Sequence, residues 1–300
     1  MESLPKITDR VRLPLAIKVP PYLLDHQFQG KAVLPAVEAM EILAASTLAH
    51  LPGTAVHCIR DAGFDKFLVI SEGCDALNAY NDLEVLDNGT VISRLITKTR
   101  SKKAMITRTL EHATLCFQGV SIASEAPPLE IPAFSDPSSS KYHISVETIY
   151  KSLVPFGPHY HNLKDGVTIS EEDAMGRVYA PSWGAAPAGL LGSPFPLDAA
   201  FHAACVWGQR YAGLVGFPVG FGLRRLFAPT RSGSTHTARI FPKKVHPDRF
   251  LADIWITDMD GALQEAVLDV VMRDVSGGRI KPPSWIVSDA AEGKGSDTKY

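Results

Sequence analysis

Three groups of residues in this sequence have types and spacings suited to chemistry. The first is Asp25-His26-Gln27-Phe28-Gln29-Gly30, continuing through Lys31 and Leu34 to Pro35. A histidine, a glycine four residues on and a proline five beyond that would set an imidazole beside a backbone turn entering a helix N-terminus, where unpaired N–H groups point outward. A base and donors for a developing oxyanion would then be neighbours. A surface-loop histidine beside a turn glycine fits the same spacing. The second group is Asp198 with His202, four apart and so on one face of a helix. Among Ala, Phe and Leu, a carboxylate is costly unless it is paired or protonated; the alternative is a solvated first-turn aspartate favoured by the helix dipole. The third is Pro155-Phe156-Gly157-Pro158-His159-Tyr160-His161, whose prolines and glycine fix a path and whose rings could form an apolar wall. His159 and His161 lack the nearby third ligand that a zinc site requires, so no metal is expected.

These residues need elements to hold them. Pro35 to Leu51 is rich in Ala, Leu and Met, apolar on nearly all sides and opened by proline, with Glu38 and Glu41 near its start, where the dipole favours anions. It reads as a buried helix. Residues 56–70, 77–86, 90–98 and 104–117 follow as β-rich runs with an Asp-Asn-Gly turn at 87–89, which predicts antiparallel strands. The plan recurs after Ser124 to Ser140, where prolines and serines interrupt every hydrophobic period. Pro196 to Leu214 is a second buried helix, and strands are expected at 219–227, 235–241, 251–257 and 263–271, with Asp-Gly at 260–261 as a turn. Each half is thus one buried helix plus antiparallel strands, an α+β plan in which a sheet wraps a helix and the two sheets could join edge to edge.

Composition narrows the function class. A chain of 300 residues, 45% hydrophobic and 21% charged, can bury at least one sizeable core, which excludes long disorder and coiled coil. Thirty basic against 32 acidic residues leave a formal charge of −2, with no basic stripe for nucleic acid. Cys58, Cys74, Cys116 and Cys205 are scattered without a C-x-x-C pair, as expected for reduced thiols rather than a disulfide or zinc scaffold. No apolar run reaches signal-peptide or membrane-span length, so a cytoplasmic, non-membrane protein is expected. His246-Pro247-Asp248 lacks the basic hairpin of a J domain, and Gly216 to Gly222 lacks a phosphate-loop pattern.

Taken together, these features resemble the dehydratase domain of polyketide synthases, a double hotdog, over about Leu13 to Pro283. The family's H-x-x-x-G-x-x-x-x-P motif is complete as His26, Gly30 and Pro35, and its D-x-x-x-Q/H motif as Asp198 and His202. Its G-Y-x-Y-G-P-x-F motif survives only in part over Leu153 to Tyr160, without either tyrosine hydroxyl before the Gly-Pro, and its L-P-F-x-W motif is reduced to Phe217-Pro218-Val219-Gly220-Phe221. The resemblance implies an N-terminal hotdog at 1–123, a linker at 124–140, a C-terminal hotdog at 141–283 and a tail at 284–300 expected to be mobile.

What the resemblance implies chemically is loss of water from a β-hydroxyacyl thioester to give the α,β-enoyl thioester. The substrate would ride on the phosphopantetheine of an acyl carrier protein, with no other cofactor. His26 would take the α-proton, the Gly30 N–H at the helix start would polarise the carbonyl, and a protonated Asp198, oriented by a neutral His202, would release the hydroxyl. Pro35, Phe156, Gly157, Pro158, Tyr160 and Phe201 would line a substrate tunnel between the halves. Competing expectations are a hotdog thioesterase, which would give free acid, a non-catalytic acyl-binding module, and a variant that isomerises or cyclises the enoyl product. A monomer and a homodimer both fit, as do a free-standing enzyme and a domain of a megasynthase.

Overall fold

The computed structural model describes residues 5–100, 107–119, 129, 132, 142–182 and 189–287. Fourteen strands fall in it: β1 (Ile7–Lys18), β2 (Gln27–Phe28), β3 (Lys31–Ala32), β4 (Thr54–Gly63), β5 (Ala76–Leu86), β6 (Val91–Arg100), β7 (Thr107–Gly119), β8 (Tyr142–Ile144), β9 (Leu163–Ile169), β10 (Ala174–Tyr179), β11 (Phe217–Leu226), β12 (Thr235–Val245), β13 (Arg249–Thr257) and β14 (Leu263–Arg273). Two long helices, α1 (Ala36–His50) and α2 (Phe195–Trp207), fill the two sheet concavities.

The first half orders its strands β1-β5-β6-β7-β4 around α1, and the second β11-β14-β13-β12-β10-β9-β8 around α2. The halves join through an antiparallel β4–β11 seam, giving one twelve-stranded sheet with two wrapped helices, the double hotdog expected from the sequence. Gly220 is a seam residue because a Cβ there would overlap the Ala62 carbonyl across the ladder. The remnant of the L-P-F-x-W motif therefore holds the join.

Both helices follow from composition. α2 buries all thirteen of its residues, and its Ala-rich surface lets the sheet approach closely on every side. It runs on through a π-helical turn, Gly208–Ala212, and stops at Gly213, whose φ of 66° is left-handed. α1 begins after Pro35, but Glu38 and Glu41 do not simply face solvent near the dipole. Glu38 is 7% exposed and accepts from the Tyr22 hydroxyl at 3.0 Å. Glu41 accepts the backbone N–H groups of Leu190 and Leu191 at 2.5 and 2.8 Å, tying the second half's entry loop to the first helix.

Among the longer strands, three were not foreseen: β1, β9 and β10. β1 places Val11, Leu13, Leu15 and Ile17 inward by simple alternation, and as an edge strand paired only with β5 it tolerates Pro14. The 124–140 linker lies outside the described residues except for Leu129 and Pro132. At the tail, Ser284–Val287 form a helical turn whose Ile286 is 3% exposed and whose backbone carbonyl accepts from Arg210; residues 288–300 lie outside the described part.

Candidate active site

His26 follows a 3-10 turn, Pro21–Asp25, and precedes the β2–β3 hairpin, whose Gln29 and Gly30 have φ of 50° and 74°. The two positive φ values make a tight reversal, which glycine readily allows. Val33 is thereby brought back onto His26: its N–H donates to the His26 carbonyl at 2.9 Å, and its carbonyl lies 3.1 Å from His26 Nδ1. A carbonyl can only accept, so Nδ1 carries the proton and Nε2 keeps its lone pair. Burial pushes the imidazole pKa down, opposed in part by the nearby Asp198. The ring is consequently neutral and basic at Nε2.

The aromatic loop of the second half packs against this histidine. Phe156 stacks on His26 at 4.5 Å between ring centroids, and Tyr160 lies at 5.0 Å. The loop also grips the preceding residue. The Gly157 N–H donates to the Asp25 carbonyl at 2.8 Å, while the His159 backbone N–H and Nδ1 reach Asp25 Oδ2 at 3.0 and 2.6 Å. A Cβ at Gly157 would overlap the Asp25 side chain near its root. Gly157→Ala should accordingly destabilise the fold by about 1–3 kcal/mol and lower kcat by displacing the His26 loop. Chemical denaturation alongside turnover measures both; unchanged turnover would show that this clamp does not position the base.

Asp198 and His202 lie one turn apart on α2, 5% and 3% exposed, with Oδ2 and Nε2 3.1 Å apart. The ring N–H is not aligned on the oxygen, so neither atom has a well-formed hydrogen bond among the described residues. Phe156 stands 5.0 Å from His202 as well, so one phenyl ring touches the imidazoles of both halves.

His26, Asp198 and His202 line a single cavity of about 790 Å³, together with Leu34, Phe156 and Phe201. Phe28, Phe67 and Phe217 cluster along its wall, with Phe67 39% exposed at the surface. His26 from one hotdog and Asp198 from the other therefore face one chamber.

Five other expected site residues sit elsewhere. Gly30 is not at a helix start: it occupies the exposed hairpin tip, five residues before Pro35, and does not line the cavity. The helix-start donor that does line it is Ala36, the first residue of α1, whose N–H has no intrahelical acceptor. Pro35 caps α1 rather than facing the chamber, and Gly157 and Pro158 belong to the loop behind His26. Tyr160 is buried behind the same histidine, against Tyr22 and Phe195. Of the residues expected to line a tunnel, Phe156 and Phe201 border this cavity.

Sequence reasoning overlooked Ala36 and Tyr150, and it read Glu38 only as a first-turn anion of the helix rather than as the buried partner of Tyr22. A glutamate in an otherwise apolar helix was the available signal for Glu38. Among the described residues no three His, Cys, Asp or Glu side chains converge as metal ligands, and no helix is long and apolar enough to cross a membrane. His161 Nε2 is engaged with the Phe156 carbonyl at 2.9 Å.

The chain is thus a double hotdog in which a histidine of one half and an aspartate of the other face one chamber. Residues 132–279, essentially the second hotdog, match the family model described as the polyketide synthase dehydratase N-terminal domain. Solved structures agree in fold. A dehydratase domain of a trans-AT polyketide synthase from Brevibacillus brevis superposes with a TM-score of 0.69 at 16% identity, covering 90% of this chain and 96% of that one. The dehydratase domain from the CurF module of curacin polyketide synthase gives 0.69 at 18% identity, over 91% and 97%. A further curacin synthase dehydratase, 17% identical with a TM-score of 0.68 over 92% and 96%, carries a histidine-to-phenylalanine change and is described as inactive. In sequence, the chain is 27% identical over 204 residues to a polyunsaturated fatty acid synthase polypeptide of Thraustochytrium sp.; the aligned region covers 66% of this chain and 7% of that much longer one.

Proposed function

We propose that the protein eliminates water from a β-hydroxyacyl thioester, borne on the phosphopantetheine of an acyl carrier protein, to give the α,β-enoyl thioester in polyketide or fatty-acid-like synthesis. It needs no other cofactor and works in the cytoplasm, consistent with its four free cysteines. The observation that carries this reading is the shared chamber, into which one half brings a neutral imidazole and the other a buried carboxyl group.

His26 Nε2 takes the α-proton. The resulting enolate-like oxygen is stabilised by the N–H of Ala36 and the positive end of α1, in place of the Gly30 N–H. Asp198 gives its proton to the departing hydroxyl, which leaves as water. The proton held by His26 then returns to Asp198, so the enzyme is regenerated and atoms balance. Leu34, Phe156 and Phe201 keep bulk water from the chamber, which favours elimination over hydrolysis.

Mass spectrometry of a carrier protein loaded with a 3-hydroxyacyl group tests the proposal. Loss of one water from the acyl chain, with the thioester intact, is the expected outcome. Release of free 3-hydroxy acid would instead identify a thioesterase, and an unaltered acyl-carrier mass would identify a non-catalytic binding module.

A further inference from the structure

The acid has a support that its own helix does not provide. Phe156 contacts both imidazoles through its ring and has no hydroxyl to offer, so polar orientation of Asp198 and His202 must come from another direction. Tyr150, in the short π-helical turn Ile149–Leu153, supplies one. Its buried hydroxyl lies 3.4 Å from His202 Nδ1, and its ring stands nearly perpendicular to that imidazole at 5.8 Å. The same oxygen accepts the Leu163 N–H at 3.0 Å, and the Tyr150 ring stacks on His161 at 4.1 Å. With one lone pair engaged by Leu163, the phenolic hydrogen is free to point at Nδ1.

Building on the dehydratase reading, we propose that Tyr150 is a positioning residue for the acid: it donates to His202 Nδ1, fixes the tautomer with hydrogen on Nε2, and so keeps a donor on the nitrogen that lies 3.1 Å from Asp198 Oδ2. Oδ2 is thereby the acceptor within the pair, and the proton of the carboxyl group resides on Oδ1 for delivery to the substrate hydroxyl. The opposite tautomer would set two lone pairs against each other at Nε2 and Oδ2 and draw the carboxyl proton back towards the imidazole. Tyr150 thus acts through His202 and touches no reacting atom.

Two measurements on the whole protein test this. In wild-type enzyme, nitrogen-15 spectra of labelled imidazoles, with His202 assigned by its loss in His202→Gln, should show His202 protonated at Nε2 and bare at Nδ1; protonation at Nδ1 overturns the proposal whatever the activity. In turnover of a pantetheine-linked 3-hydroxyacyl thioester, Tyr150→Phe should lower kcat roughly tenfold with KM held within about twofold. Repeated in the His202→Gln background, it should change kcat by less than about twofold, because a glutamine amide has donor and acceptor on separate atoms and no tautomer to fix. Equal loss in both backgrounds, or none in either, overturns it. Absence of elimination by wild-type protein would overturn the dehydratase reading and leave the spectroscopic result standing on its own.

Discussion

His26→Phe is expected to remain folded while losing dehydration, with kcat reduced on the order of 10,000-fold, the upper range for removing a positioned base. The structure separates the two effects. Phenylalanine is a ring of similar size, and its site is already a stack between Phe156 and Tyr160, so packing is retained. What disappears is Nε2 and the Nδ1–H bond to the Val33 carbonyl, the latter a loss of about 1 kcal/mol. Asp198→Asn completes the pair: it keeps an oxygen for His202 and the shape of the pocket, but an amide cannot release an acidic proton, so a fall of similar size is expected. Single-turnover assays with a carrier-bound 3-hydroxyacyl substrate, next to melting curves, read chemistry and folding separately. Survival of water elimination at more than about a hundredth of the wild-type rate in either variant would remove that residue from the mechanism.

Glu38→Gln should stabilise the protein in alkaline buffer by about 2–3 kcal/mol and change it little near pH 5. Burial raises the Glu38 carboxyl to about 7, opposed by the hydrogen bond from Tyr22. In the unfolded chain the same group ionises in the ordinary carboxylate range. Between those two points the unfolded state has released its proton and the folded state still holds one, so raising the pH favours unfolding, by on the order of 3 kcal/mol once both have ionised. Glutamine does not titrate, can still accept from Tyr22 through its carbonyl, and so removes the alkaline loss while preserving the acid-side stability. Urea unfolding midpoints of the two proteins at pH 5 and pH 8 decide the matter. Curves that run parallel across this range would mean that Glu38 is not a buried neutral acid.

The parts of the site readable in the sequence were those encoded over short stretches. His26 and Pro35 lie on one short stretch that ends at a helix start, and Asp198 with His202 on one helix turn, so spacing alone conveyed their local geometry. The two helices were visible because a segment wrapped by a sheet must be apolar all round. The placement of Gly30 was misread because a glycine followed by a helix suggests a helix-start amide, whereas two successive positive φ values put it at a hairpin tip. Tyr150 and the pairing of Glu38 went unforeseen because their partners, His202 and Tyr22, are 52 and 16 positions away and no local pattern marks such a contact. Predicted lining failed at Tyr160 for a related reason: an aromatic beside a functional loop can face the chamber or brace the loop from behind, and only packing decides.

The β4–β11 seam bears on how the polypeptide matures on the ribosome. Synthesis delivers Thr54–Gly63 long before Phe217–Leu226, and throughout that interval the first lobe presents an open row of amide and carbonyl groups on one flank. The nascent lobe is then exposed to unwanted pairing with neighbouring chains, and its base-bearing pocket has only one wall. Completion of the active chamber and protection of that flank are therefore the same event in the life of the molecule.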